Sequence, residues 1–281
     1  LGLPRIIEIL DARKLPSTPT MHIYLNTPHS KDKNKADKIA QKIKQTVLEE
    51  VTKEFTMDLA NGEVNVLLDK DELKRKSINL NDVYEQLSLQ VKGADITKKT
   101  ASISVKLKDN DIKKVYKLKE KLRDSFISGI SGITDVLAYK RHNGEFIIQT
   151  FGSNLKNISE IKEVDFSRTR TNNFYEIEAV LGIEAVRAAV LREVMHILSH
   201  EGMAIDERHI SLVSDMMTRD VVIKGISRHG ITKEKESVLA RAAFEIPLDH
   251  LVEASVRGEQ DNLVSVVENV MINQPVPIGT G

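Results

Sequence analysis

The stretch "NFYEIEAVLGIEAVRAAVLREVMHILSHEG", residues 173–202, sets the architecture of the second half of the chain. Ile177, Val180, Leu181, Val186, Val190, Val194 and Ile197 recur at three- and four-residue spacing, which predicts an amphipathic helical run. Asn173 with Glu176 three residues later has the spacing of a capping box, and Gly202 suits the C-terminal stop. Helical character continues downstream. Asp206 can cap "ERHISLVSDMMTRD", and "PLDHLVEASVRGE" reads as a helix started by Pro247 and stopped at Gly258. The tail "NVMINQPVPIGTG" reads as loop.

Working back towards the N-terminus, the pattern changes. "GSNLKNISEIKEVDFSRTRTNN" reads as a short helix followed by a polar loop. "ITDVLAYKRHNGEFIIQTF" predicts a β-hairpin in which Asn143-Gly144 supplies the two positive-φ positions of a tight turn. "VTKEFTMDL", "GEVNVLLD" and "ASISVKLK" alternate as strands do, whereas "NLNDVYEQLSLQ" (with Asn79 or Asn81 as cap) and "NDIKKVYKLKEKLRDSFISG" read as helices. Residues near 50–151 are therefore expected to form a compact α+β unit. Before it, "SKDKNKADKIAQKIKQTVLEEV" reads as a Lys-rich helix with Ile39, Ile43 and Val47 on one face and a solvated outer face. "TMHIYL" reads as a short strand. "LGLPRIIEILDARK" reads as a helix whose apolar face is Leu3, Ile6, Ile7 and Leu10, stopped by Pro16 and Pro19.

Composition narrows the function classes. The chain has 281 residues, 41% of them apolar, enough to bury a core. It contains no Cys, which removes disulfides, thiolate nucleophiles and Cys-based metal sites, and fits a reducing, cytoplasmic setting. No apolar run is long enough to span a membrane, so no membrane partner is expected. "LGLPRIIEIL" is not a signal peptide and lacks an initiator Met, so the numbered chain is expected to begin inside a longer polypeptide. The formal net charge is zero but unevenly spread. Residues 1–166 carry 24 Lys and 5 Arg against 24 acids, and residues 167–281 carry 3 Lys and 9 Arg against 17 acids. Arg offers a rigid fork for carboxylates and phosphates, so the second half is biased towards ordered contacts. With no basic excess, any contact with nucleic acid must be local.

Complete active-site signatures are missing. There is no "GxxxxGK[ST]", "GxGxxG" or "GxSxG". His196 and His200 share a helix face and could share a metal, but Ile197 stands where "HExxH" needs its Glu. "DND" at Asp109–Asp111 and "DKDE" at Asp69–Glu72 read as helix starts rather than magnesium sites. Met195, Met216 and Met217 fall on helical apolar stripes and read as core. One segment stands out. "GISRHGITKEKESVLARAAFE", residues 225–245, gathers Arg228, His229, Lys233, Lys235 and Arg241 around a Gly-punctuated loop. Ala240, Ala242 and Ala243 frame Arg241 and would admit a phosphodiester strand or another backbone. Phosphate binding, an intersubunit salt bridge and plain surface all fit that pattern.

Three stretches together resemble the largest subunit of multisubunit DNA-dependent RNA polymerase. They are "LGLPRIIEILDARKLPSTPTMHIYL", the run from "NNFYEIEAVLGIEAVRAAVL" to "DVVIKGISRHGI", and "SVLARAAFEIPLDHLVEASVRGEQDNLVSVVENVMINQPVPIGTG". They cover roughly half the chain. The ending at "PIGTG" looks like the split archaeal arrangement, in which the C-terminal piece of the largest subunit is the A″ subunit. The resemblance implies an α+β fold: a helical cleft region, residues 1–50 and 152–281, with an inserted jaw domain at 51–151, inside a large multisubunit assembly. It implies a switch region near 237–250, with Arg241 touching template phosphate and Arg228, His229 and Lys233 as further nucleic-acid contacts. It implies that Leu1, Gly2, Pro4 and Arg5 form the C-terminal hinge of a trigger loop. The magnesium-binding motif "NADFDGD" is absent here. The resemblance puts it on a companion A′ chain, so this chain is expected to bind no cofactor itself while magnesium serves the assembled polymerase. The implied partners are A′, the second-largest subunit, the DNA template and the downstream duplex. A stand-alone nucleic-acid-binding scaffold is the alternative from another class, and a zinc hydrolase built on His196 and His200 is a third.

Overall fold

A computed structural model describes all residues except 1, 59–61, 77, 91–93, 99–101, 108–111, 142, 228–229 and 280–281. The chain begins with α1 (Gly2–Leu10), β1 (Thr20–Leu25), α2 (Lys33–Ile43) and β2 (Thr46–Val47). There follow β3 (Thr52–Asp58), β4 (Glu63–Leu68), α3 (Lys70–Arg75), α4 (Leu80–Gln90), β5 (Ala94–Lys98), β6 (Ser102–Leu107) and α5 (Ile112–Arg123). Next come β7 (Phe126–Ser128), β8 (Asp135–Lys140), β9 (Phe146–Phe151), α6 (Leu155–Ser159) and β10 (Val164–Thr171). The chain ends with α7 (Phe174–Leu181), α8 (Ile183–His200), α9 (Glu207–Thr218), α10 (Val238–Phe244), α11 (Pro247–Arg257) and α12 (Val266–Met271). The α+β class expected from the sequence is the class observed.

The chain divides into two compact units, residues 18–171 and residues 1–17 with 172–281. These limits differ from the 51–151 insert that the resemblance implies, and strand pairing gives the reason. β1 lies between β10 and β9 in an antiparallel sheet of order β10-β1-β9-β8, with Met21 opposite Thr171 and Ile23 opposite Ile148. Residues 18–50 and 152–171 are thereby tied to the insert. α2 covers this sheet through Ile39 and Ile43, but it ends at Ile43, and Val47 lies in the short strand β2 paired with β7. The other large sheet, β3-β4-β6-β5, is antiparallel throughout. Val64, Val66, Ile103 and Val105 project from it into a core completed by Val83 and Leu87 of α4 and by Val115, Leu118 and Leu122 of α5. Each such side chain, fully buried, contributes roughly 1.5–3 kcal/mol relative to exposure.

Local chemistry explains the departures from the sequence reading. The expected polar loop after α6 is strand β10. Its core-facing residues include Thr169 and Thr171, whose hydroxyls donate to the carbonyls of Asp165 (2.8 Å) and Thr20 (3.3 Å), so a polar sequence still fills a buried face. β5, β7 and α12 are too short to announce themselves by periodicity. In the β8–β9 turn Gly144 takes the positive φ expected of it (+81°). Gly144 N donates to Arg141 O and Arg141 N to Glu145 O, each at 2.9 Å, so the turn encloses three residues instead of two.

In the helical unit, Gly182 (φ +87°) separates α7 from α8, so the long helical run is two helices. Val186, Ala189, Val190, Val194 and Ile197 form the buried stripe of α8, while Leu181 is exposed. α9 packs on α8, with Ser214 Oγ donating to Arg187 O at 2.8 Å and Met217 wholly buried. Met216, by contrast, is exposed, so only one of that pair is core.

Candidate nucleic-acid interface

Two helices and the loop between them frame the basic segment. Gly225 lies against the carboxyl end of α1, where an added Cβ would come within 2.7 Å of Asp11 O and 3.0 Å of Leu10 O. Ile226 N donates to Leu10 O at 2.7 Å, satisfying a carbonyl that the end of α1 leaves without a helical partner. A Cβ on Gly230 would lie 1.9 Å from Gly225 O, and Ile231 N donates to that same oxygen at 3.1 Å. The two glycines therefore serve close backbone approach. Lys224 closes the loop by donating to both Asp220 and Glu234, which raises the Lys224 pKa. Lys233 projects, exposed, from a 3-10 turn at Ile231–Glu234. Arg228 and His229 lie outside the described residues.

Arg241 is held on α10 by a compact polar frame. Ser237 caps the helix by accepting from Ala240 N at 3.0 Å, and its hydroxyl donates to Asp261 at 2.7 Å. Asp261 also accepts from Leu239 N (3.1 Å) and Leu263 N (3.0 Å). Burial pushes the Asp261 pKa up, but these hydrogen bonds outweigh it and hold the carboxyl below its ordinary value. Ala240 and Ala242 are buried on either side of Arg241, whose side chain is 17% exposed. Its Nη2 donates to Glu259. Arg257 Nη1 lies 3.6 Å from the other oxygen of the same carboxylate, so two guanidinium groups share one negative charge. Arg241 Nε is buried with no acceptor among the described residues. Arg257 also pairs with Glu253 at 2.6 Å, so the two guanidinium groups and two carboxylates balance, and what the cluster offers a phosphate oxygen is the unused Arg241 Nε donor. Sequence reading missed Glu259 and Asp261. The signal available was the acid-rich "GEQDN" that follows α11.

The four expected hinge residues fare differently. Leu1 lies outside the described residues. Gly2 adopts φ +35°, and Pro4 sits in the first turn of α1, where its missing N–H is tolerated. Arg5 is buried, its guanidinium 2.8 Å from Glu8, 3.0 Å from Asn172 O and 5.9 Å from the centre of the Phe174 ring. Glu8 in turn accepts from Ser17 N (2.5 Å) and Ser17 Oγ (3.1 Å). Burial pushes the Glu8 pKa up, but the hydrogen bonds from Arg5 and Ser17 and the Arg5 charge bring the net shift below the ordinary value. This overturns the expected face of α1. Arg5, Glu8 and Ile9 point inward, while Leu3 (67%) and Ile7 (47%) are exposed. A buried charge is tolerated when paired and hydrogen-bonded, and here the two charges complete each other.

His196 and His200 meet on α8, Nε2 to Nε2 at 3.2 Å, beside a cavity of about 590 Å³. Asp69 caps α3 by accepting from Asp71 N at 2.9 Å, and Glu72 pairs with Arg75 at 2.6 Å, as a helix start requires. Asp109–Asp111 lie outside the described residues. Among the described residues no group of three or more His, Asp or Glu converges on one point.

Residues 1–239 match the family model for RNA polymerase Rpb1, domain 5. The full chain aligns over 282 residues, at 45% identity, with the DNA-directed RNA polymerase subunit Rpo1C of Thermococcus gammatolerans, covering 72% of that protein. It aligns over 283 residues, at 44% identity, with the Rpo1C subunit of Pyrobaculum aerophilum, covering 74% of it.

Proposed function

This chain belongs to the RNA polymerase Rpb1 domain 5 family, and from that premise we propose how it serves transcription. It is a subunit of DNA-directed RNA polymerase, a nucleotidyltransferase, and it makes up part of the largest subunit. The full-length match to two archaeal Rpo1C subunits is the observation that carries this reading. In our reading the helical unit lines the cleft and the inserted unit is the jaw over downstream DNA. The companion A′ chain and the second-largest subunit are its nearest partners, A′ holds the magnesium ions, and the assembly works in the cytoplasm.

Within that frame Arg241 grips the template backbone. The Arg241 Nε, which has no acceptor among the described residues, supports this, because a phosphate oxygen arriving at the cluster would complete its hydrogen bonding. A processive polymerase must hold DNA without reading sequence, and phosphate contacts do that. Lys233, exposed nearby in sequence, adds long-range attraction, and α1 with its Arg5–Glu8 clasp is the fixed end of the trigger-loop hinge. The test is Arg241→Ala in reconstituted polymerase, measuring open-complex lifetime against salt. We expect a shorter lifetime and a salt slope smaller by roughly one unit for the lost phosphate contact. Unchanged lifetime and slope would remove Arg241 from the interface.

A further inference from the structure

We propose that His196 and His200 form a bidentate site for a divalent transition-metal ion of borderline softness, with zinc as the type case. The argument starts from spacing. Residues four apart on a helix project from one face, and here the two imidazoles converge, ring centres 4.4 Å apart and nearly edge to face. Their Nε2 atoms stand 3.2 Å apart. With metal–nitrogen bonds of about 2.05 Å, that separation corresponds to a nitrogen–metal–nitrogen angle of roughly 103°, near the tetrahedral value zinc adopts. The ion needs both nitrogens as lone-pair donors, so it takes the place of the proton that otherwise lies between them.

The surroundings admit an ion. Both His side chains are exposed, and the cavity of about 590 Å³ beside them is lined by Arg192, Met195, Ser199 and Glu207. No third His, Asp or Glu among the described residues joins the pair, so water fills the remaining positions. That makes the site weaker than a four-ligand structural zinc site and open to exchange. It lies on α8, whereas Arg241 lies on α10, and it plays no part in the polymerase reading above.

The test uses the full chain, freed of metal, titrated with cobalt(II) chloride as a spectroscopic probe and with zinc chloride by calorimetry. We expect one ion per chain, with d–d bands in the visible for cobalt. Removing an outer-shell partner of a metal ligand already weakens binding about 10–100-fold, so losing a ligand outright in His196→Ala or His200→Ala should weaken it at least tenfold. His209→Ala, which alters a neighbouring exposed His on α9, should bind as the parent does. Both positions tested are solvent-facing, so the variants should keep the parent's circular dichroism and thermal midpoint. Equal affinity in parent and His196→Ala/His200→Ala, or loss of binding in His209→Ala alone, would overturn the site.

Discussion

The core of the inserted unit and the C-terminal helices of the other unit dispose of apolar residues in opposite ways. In the insert, Val64, Leu87, Ile103 and Leu122 are fully buried between one sheet and its helices. On α11 and the residues after it, Leu248 (71% exposed), Val256 (83%) and Val264 (75%) face outward, and Val270 and Ile278 do the same. The same residue types fill a private core in one region and cover a surface in the other. Contiguous exposed apolar patches are the kind of surface on which other proteins dock. The lesson is that the insert's core is closed by its own residues, whereas the C-terminal helices leave large apolar side chains exposed.

The largest effect should come from the closed core. Leu87→Ala or Ile103→Ala should destabilise the insert by about 2–5 kcal/mol, read by urea unfolding. Breaking the buried clasp comes next. Arg5→Ala strands Glu8 and should cost on the order of 3 kcal/mol, whereas a paired replacement of both by apolar residues should recover much of it. The pH dependence has a definite sign. Glu8 has a folded pKa below its unfolded value, so its contribution is fully present above the unfolded value. It is lost as pH falls from the ordinary carboxylate value through the depressed folded one. Urea midpoints compared between neutral and acid pH should fall less for Glu8→Gln than for the parent. Ser237→Ala removes the α10 cap and should cost about 1 kcal/mol. The smallest effect sharpens the contrast. Val256→Ser should change the stability of the isolated chain by no more than about 0.5 kcal/mol, yet weaken its co-assembly with other polymerase subunits in a pull-down. A large loss of stability in the isolated chain would show that this surface is core after all.

Where side chains obey one rule at a time, the sequence was easy to read. α8, α9, α11 and the β8–β9 hairpin follow from periodicity, caps and a turn glycine. β10 escaped because threonines occupy its buried face and satisfy their hydroxyls on neighbouring carbonyls. The face of α1 was misread because its buried residues are two opposite charges, which hydropathy scores as outward. At the candidate interface, Arg241 was legible as a charge framed by alanines. Its partner Glu259, eighteen residues on, was not, because sequence spacing does not show which acid a helix hairpin returns to the same place.

The pairing of β1 with β10 also bears on the order in which the protein folds. Met21 and Thr171 stand side by side, so completing the insert brings its own two ends together. α1 and the residues just after it must find partners such as Asn172, which meets Arg5, and Tyr175, which meets Ala12, more than 150 residues later in the chain. If the insert folds first, that search becomes nearly local, since the entropy of closing so long a loop has already been met inside the insert. On a ribosome, where the N-terminal residues emerge first, α1 would then wait for its clasp until residues 18–171 have folded.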